Sequence, residues 1–206
     1  MNNIIDLRTF TNSVAVPVMV FVDLQQEYIS APRGLALSNA GPALENCALA
    51  LKSARSAGLP IAHVRWSGRS NFFNAATPFA KWIDGFVPLG SEMIFERSRP
   101  SCYASKSFAE IMEAGEGEFV LAGFAGESAC LSTMIEAFHR GHRVTYLADA
   151  SASHALEEFD SSDAHRMVLN FARLYGRVVK THDWVASLGR RVDRLEAAYA
   201  GDGSST

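Results

Sequence analysis

Hydrophobic and polar positions along this chain switch repeatedly between two periods, and the switching predicts its elements. The run from Val14 to Leu24, interrupted only by Pro17 and ended by Asp23, is rich in β-branched residues and too short for a helix. It reads as a buried strand with Asp23 at its carboxyl end. From Pro42 to Ala57 the apolar residues Leu44, Cys47, Leu51 and Ala54 recur at spacings of three and four before Gly58-Leu59-Pro60 breaks the pattern, which predicts a helix with a glycine stop. Ile61 to Trp66 reads as a second strand. Residues 67–89 place Ser, Gly, Asn and Pro among Phe72, Phe73, Phe79 and Trp82, and read as a long loop able to cover a pocket. The alternation continues with a strand Met93 to Glu96, a helix Ser105 to Ala114, a strand Glu118 to Ala125 and a helix Ser128 to Arg140. A strand Arg143 to Asp149, a helix Ser161 to Leu174, a strand Arg177 to Thr181 and a helix from Asp183 to Ala198 complete it.

Strands and helices in this order predict a three-layer α/β/α, Rossmann-like fold, a mostly parallel sheet of about six strands with right-handed crossovers. One domain over residues 1–206 is expected, with a disordered tail at 201–206. Ligand sites in such sheets lie beyond the carboxyl ends of the strands. Three of those ends carry suggestive residues: Asp23 after the first, Arg97 after the third, and Gly126-Glu127-Ser128-Ala129-Cys130 after the fourth.

Composition narrows the class. Lysine and arginine number 19 against 22 acidic residues, a formal charge of −3 with no block of like charges, so neither nucleic acid nor an anionic membrane is an expected partner. The three cysteines, Cys47, Cys102 and Cys130, are widely spaced with no CxxC pair, which disfavours a disulfide framework and a cysteine-rich zinc site. The residues from Met1 to Asp6 do not open a signal peptide, and no apolar stretch approaches the ~18 residues of a membrane span. A cytoplasmic protein is the expectation. The histidines form neither an HExxH nor a DxH pair, and no GxGxxG or GxxxxGK[ST] occurs, so no metal, nucleotide or other cofactor is expected.

Asp23, at the edge of an apolar strand, is open to opposed pKa shifts. Desolvation raises a carboxyl and a nearby cation lowers it, so it suits acid or base chemistry, or else it caps the following turn. Cys130 falls in the first turn of the helix after the fourth strand, where helix N–H groups favour a thiolate. It also shares a helical face with Met134, Ala137 and Phe138, which suits a core residue. Arg97 is placed to bind a carboxylate, to hold Asp23 ionised, or to pair with Glu96 or Asp84. His63 on its strand suits core packing, and His139 and His142, flanking a turn glycine, are expected in solvent.

Three segments in order carry a resemblance. Asp23-Leu24-Gln25-Gln26-Glu27-Tyr28 is similar to a D-x-Q-x-D-F segment, and Arg97 to Tyr103 to K-x-x-x-S-x-F. Leu121 to Gly141 followed by Val144 to Ala150 is similar to a strand, glycine, nucleophile helix and V-x-x-x-x-D-A strand. From Val18 to Thr181 the chain thus resembles the isochorismatase-like hydrolase superfamily, which includes isochorismatases, nicotinamidases and cysteine amidohydrolases. The resemblance implies an aspartate, lysine and cysteine triad, helix-start N–H groups as an oxyanion hole, and a non-proline cis peptide near Phe124-Ala125.

Two positions depart from that pattern. Arg97 stands where the family has lysine, the register being set by Ser101 and Tyr103. Gly123, Thr133, Ala137 and Gly141 place the nucleophile position at Ala129, one residue before Cys130, and one residue along a helix is a rotation of about 100°. Isochorismatases themselves carry a small residue at that position and hydrolyse a vinyl ether with the aspartate as proton donor.

The expectation is therefore a hydrolase of a small, aromatic or carboxylate-bearing, amide-like substrate acting through Asp23, Arg97 and Cys130. The alternatives are a cysteine-independent enol-ether hydrolase with Asp23 as acid, or a non-catalytic binding relative. Gln25, Tyr28, Trp66 and Trp82 are expected around the substrate, together with Ala125, Gly126 and Ala129. Arg97 or Arg65 is available to a substrate carboxylate. The family's habit and the aromatic loop lead us to expect a homo-oligomer, a dimer or tetramer.

Overall fold

The computed structural model describes residues 16–68 and 71–189. At its centre is β1 (Val18–Val22), buried at every position, as its unbroken apolar run requires. It pairs in parallel with β2 (Ile61–Trp66) on one side and β4 (Glu118–Gly123) on the other. With β3 (Met93–Arg97), β5 (Arg143–Ser151) and β6 (Arg177–Val179), the sheet runs β3-β2-β1-β4-β5-β6, every pairing parallel. The chain builds outward from β1 to one edge and then from β4 to the other. The order therefore reverses between β1 and β4, and a crevice opens at their carboxyl ends.

Alternate β1 side chains serve opposite faces. Met19 and Phe21 pack with Cys47, Ala50, Leu51 and Ala54 of α1 (Ala40–Ser56), and Trp184 and Leu188 from the helical residues 181–189 complete that layer. On the other face Val20 and Val22 meet Phe108 and Met112 of α2 (Lys106–Ala114), Met134 of α3 (Leu131–His139) and Val168 of α4 (Ser161–Tyr175). Cys47 has a fixed structural contact, its thiol donating to the Ala150 carbonyl at 3.1 Å. Among the described residues no helix is long and apolar enough to cross a membrane.

Several boundaries differ from the sequence reading. Val16 and Pro17 precede the strand, because proline lacks the N–H a central strand must donate. β4 stops at Gly123, followed by a cis Phe124-Ala125 peptide, and β5 runs two residues further, to Ser151. The helix expected from Ser128 begins instead as a π-turn, Gly126–Cys130, in which the Cys130 N–H reaches back five residues to the Ala125 carbonyl at 3.1 Å. His142 is only partly exposed, its Nδ1 lying 2.6 Å from the Tyr103 hydroxyl. The expected helix beyond residue 189 and the tail 201–206 lie outside the described residues.

Gly123 closes the crevice floor. Its φ is +119°, and a Cβ there would lie 2.1 Å from the Val22 carbonyl oxygen, so β1 and β4 approach at this point only because a side chain is absent. Gly123→Ala is expected to cost about 3 kcal/mol through forced separation of the two strands. Urea unfolding checks it, with an unchanged midpoint as the contrary result.

Candidate active site

A cavity of about 330 Å³ sits in the β1/β4 crevice, with Asp23 and Arg97 at its polar end. Asp23 leaves the strand in the left-handed region, φ +51°, a conformation aspartate tolerates better than most residues. Its N–H donates to the Val64 carbonyl at 2.8 Å, and the turn is held by the Gln25 N–H on Asp23's own carbonyl at 2.7 Å. Arg97, at the end of β3, crosses beneath β2 to donate from Nη2 to Asp23 Oδ2. Its Nη1 donates to the Arg99 carbonyl at 2.5 Å, and the guanidinium lies 4.9 Å from the centre of the Trp66 ring. Both side chains are fully buried.

Burial outweighs the ion pair at Asp23. Its pKa is pushed up to about 6 by desolvation, against the opposing pull of Arg97. Arginine itself does not exchange protons near neutrality, so proton traffic at this end belongs to the carboxyl. Asp23 Oδ1 and Arg97 Nε make no hydrogen bond among the described residues, although both are buried.

The π-turn decides which residue faces the cavity. Ala129 lines the cavity, and Cys130 does not. The Cys130 thiol is instead directed into the core between the Gly123 carbonyl, 3.5 Å away, and Ser151 Oγ, 3.8 Å away. Burial pushes the thiol up to about 12. Thr133 fixes this phase, its hydroxyl donating to the Ala129 carbonyl at 2.7 Å and accepting from the Cys102 N–H at 2.9 Å. The expectation that the helix start turns Cys130 into a thiolate is thus corrected: the low-dielectric core favours the neutral thiol, and the Asp23 charge opposes ionisation as well.

Of the other expected residues, Tyr28, Trp66, Ala125 and Ala129 line the cavity, and Gln25, Trp82 and Gly126 do not. Gln25 is a buried brace. Its Nε2 donates to the Trp66 and Ala80 carbonyls at 3.0 and 2.9 Å, and its Oε1 accepts from the Trp66 N–H at 3.0 Å, which leaves its amide committed to the protein. Trp82 packs edge-on to His63 and lies under Arg65, which itself pairs with Glu96 outside the cavity. Gly126 is held by its N–H on the Ala152 carbonyl at 2.9 Å, and a Cβ would meet Ser153 Oγ at 2.6 Å. His63 is buried on β2, its Nε2 2.9 Å from Glu92, which also pairs with Arg55.

The remaining lining is Leu35, Phe72, Phe73, Glu127, Ser128 and His154. Phe72 and Phe73 come from the long aromatic loop, anchored by the buried Glu27. That carboxylate accepts from Arg33 Nε at 2.7 Å and from the Phe73 N–H at 3.3 Å. The sequence reading missed His154 and Leu35; the position of His154 after β5, at the same end of the sheet as Asp23, is the signal that would have found it, and Leu35 carried none. Among the described residues no three His, Cys, Asp or Glu side chains cluster as metal ligands would.

Comparison with known proteins agrees with this architecture. The isochorismatase domain profile matches residues 17–183. A secreted isochorismatase effector of Verticillium dahliae is 27% identical over 177 residues, covering 84% of this chain and 92% of that protein. The crystal structure of an isochorismatase from Pseudomonas putida superposes with a TM-score of 0.75 at 29% identity, covering 82% of this chain and 90% of that one. A cysteine hydrolase from Pseudomonas syringae shares the fold, with a TM-score of 0.77 at 16% identity over 85% and 93% of the two chains. With a profile match across nearly all of the described residues and a parallel sheet whose crevice holds the buried aspartate, the chain belongs to the isochorismatase family of hydrolases.

Proposed function

We propose that this hydrolase works without a cysteine nucleophile, with Asp23 as a general acid cleaving an enol ether carried on a small flat, unsaturated ring. The observation that carries this reading is the pair of adjacent placements: Ala129 against the cavity, and the Cys130 sulfur 3.5 Å from the Gly123 carbonyl in the core. A thiol pushed up to about 12 is protonated at neutral pH and has no path to a cavity-bound carbon. A carboxyl pushed up to about 6 holds a usable proton.

In the reaction, protonated Asp23 transfers its proton to the terminal vinyl carbon, and the ether oxygen shares the resulting positive charge. The carboxylate left behind is stabilised by Arg97 Nη2. Water adds to the oxocarbenium carbon and returns a proton to Asp23. The hemiketal then collapses, its C–O bond breaking to release a carbonyl compound and an alcohol. Tyr28, Trp66, Phe72 and Phe73 supply apolar walls for the ring, and Ala129 leaves space that a larger side chain would fill.

The test is a panel of vinyl ethers, esters and amides on cyclic acids, assayed with the wild type and Cys130→Ala. Vinyl-ether turnover should persist within about threefold in Cys130→Ala, and iodoacetamide should label the native protein no faster than a buried thiol. Preference for amides with turnover lost in Cys130→Ala would overturn the reading.

A further inference from the structure

One imidazole holds together the side of the cavity formed by Leu35 and Glu127. His154 Nε2 lies 3.0 Å from the Leu35 carbonyl, and Nδ1 lies 2.7 Å from Glu127 Oε1. The His154 backbone N–H also donates to Glu127 Oε2 at 3.4 Å. These three residues come from three strand ends: Leu35 from the segment between β1 and α1, Glu127 from the π-turn after β4, and His154 from the segment after β5. All three line the cavity. None belongs to the acid machinery at Asp23 and Arg97.

The partners fix the proton count. A carbonyl oxygen only accepts, so Nε2 carries a hydrogen; a carboxylate at 2.7 Å from Nδ1 is best met by a second. The ring's pKa is raised, chiefly by the Glu127 bond and against its own burial, which agrees with that count. The titratable groups facing the ring are Glu127 and Tyr28, whose ring centre lies 5.9 Å away, with Asp23 and Arg97 deeper in the same cavity.

We propose that His154 and Glu127 are a positioning pair for the substrate: a doubly protonated imidazolium ties three strand-end segments into one wall, and losing either proton releases Leu35 from Glu127. The sign follows from the raised value. The tie is complete below the ordinary histidine range and is lost as pH rises through the folded pKa. Binding therefore weakens on the alkaline side, a rise in KM separate from the loss of the Asp23 proton. The inference rests on this cavity being the site of turnover, yet two of its three readouts need no substrate.

Nitrogen-15 NMR of the full chain followed across pH should show both His154 ring nitrogens protonated below the ordinary histidine range, and the wild type losing a ring proton at higher pH than Glu127→Gln, which keeps shape and an acceptor oxygen. Amide exchange across residues 33–39 should be at least about tenfold faster in Glu127→Gln and His154→Gln, with β4 amides unchanged. On the best vinyl ether of the panel, Glu127→Gln should raise KM about fivefold with kcat within twofold. A His154 that titrates no higher in the wild type than in Glu127→Gln, unchanged exchange in both variants, or a fall in kcat at constant KM would each overturn the proposal. Failure of every vinyl ether would sink the enol-ether reading and leave the NMR and exchange results standing.

Discussion

Asp23→Asn should remove at least about a thousandfold of vinyl-ether turnover while the protein remains folded. Asparagine matches aspartate in size and keeps an oxygen for Arg97 Nη2 to donate to, so the loss would report the proton. On the proposed acid mechanism, that proton also sets the wild-type pH profile. With Asp23 near 6, the acid form predominates below that value, so kcat/KM should be level there and fall about tenfold per pH unit above it. A profile that rises with pH through 6 would mean that the carboxylate is the working form, and would move Asp23 from acid to base.

Arg97→Met should be the most destabilising change at the site, and its cost should depend on pH. Methionine fills much of the volume but leaves Asp23 buried with its counter-charge gone, a situation that costs about 3–5 kcal/mol when the carboxyl is ionised. In the wild type Asp23 is raised despite the pull of Arg97, so without arginine its folded value rises further. The folded state then prefers the protonated carboxyl more strongly than the unfolded chain does. The penalty is therefore present at pH 8 and relieved as pH falls through the new folded value. Guanidinium unfolding at pH 5 and pH 8 checks this; an equal loss at both would show that packing, and not charge, is what Arg97 contributes. The alkaline limb of kcat/KM should move upward in the same variant.

The site was legible wherever one local rule decided a position. An unbroken β-branched run ending at Asp23 can only be a central strand with a carboxylate at its edge, and the order of strands then implied the crevice. Gly123 and Thr133 gave the phase of the helix start, and the packing of Thr133 against Ala129 and Cys102 is the physical content of that phase. What local rules could not supply was commitment by distant partners. Gln25 looks like a ligand-binding amide until Trp66 and Ala80, far along the chain, are seen to take its hydrogen bonds. His154 and Leu35 are 119 residues apart, and their contact exists only once the sheet has brought three loops to one edge.

The π-turn also has a consequence for chemical durability. Thiolate hydrolases are open to peroxide, which oxidises an exposed thiolate to sulfenic acid and beyond. Here the described lining of the cavity holds no cysteine, and the Cys130 sulfur is protonated and shut into the core. A hydrolase of the proposed kind should keep its activity in surroundings oxidising enough to disable a cysteine-dependent one.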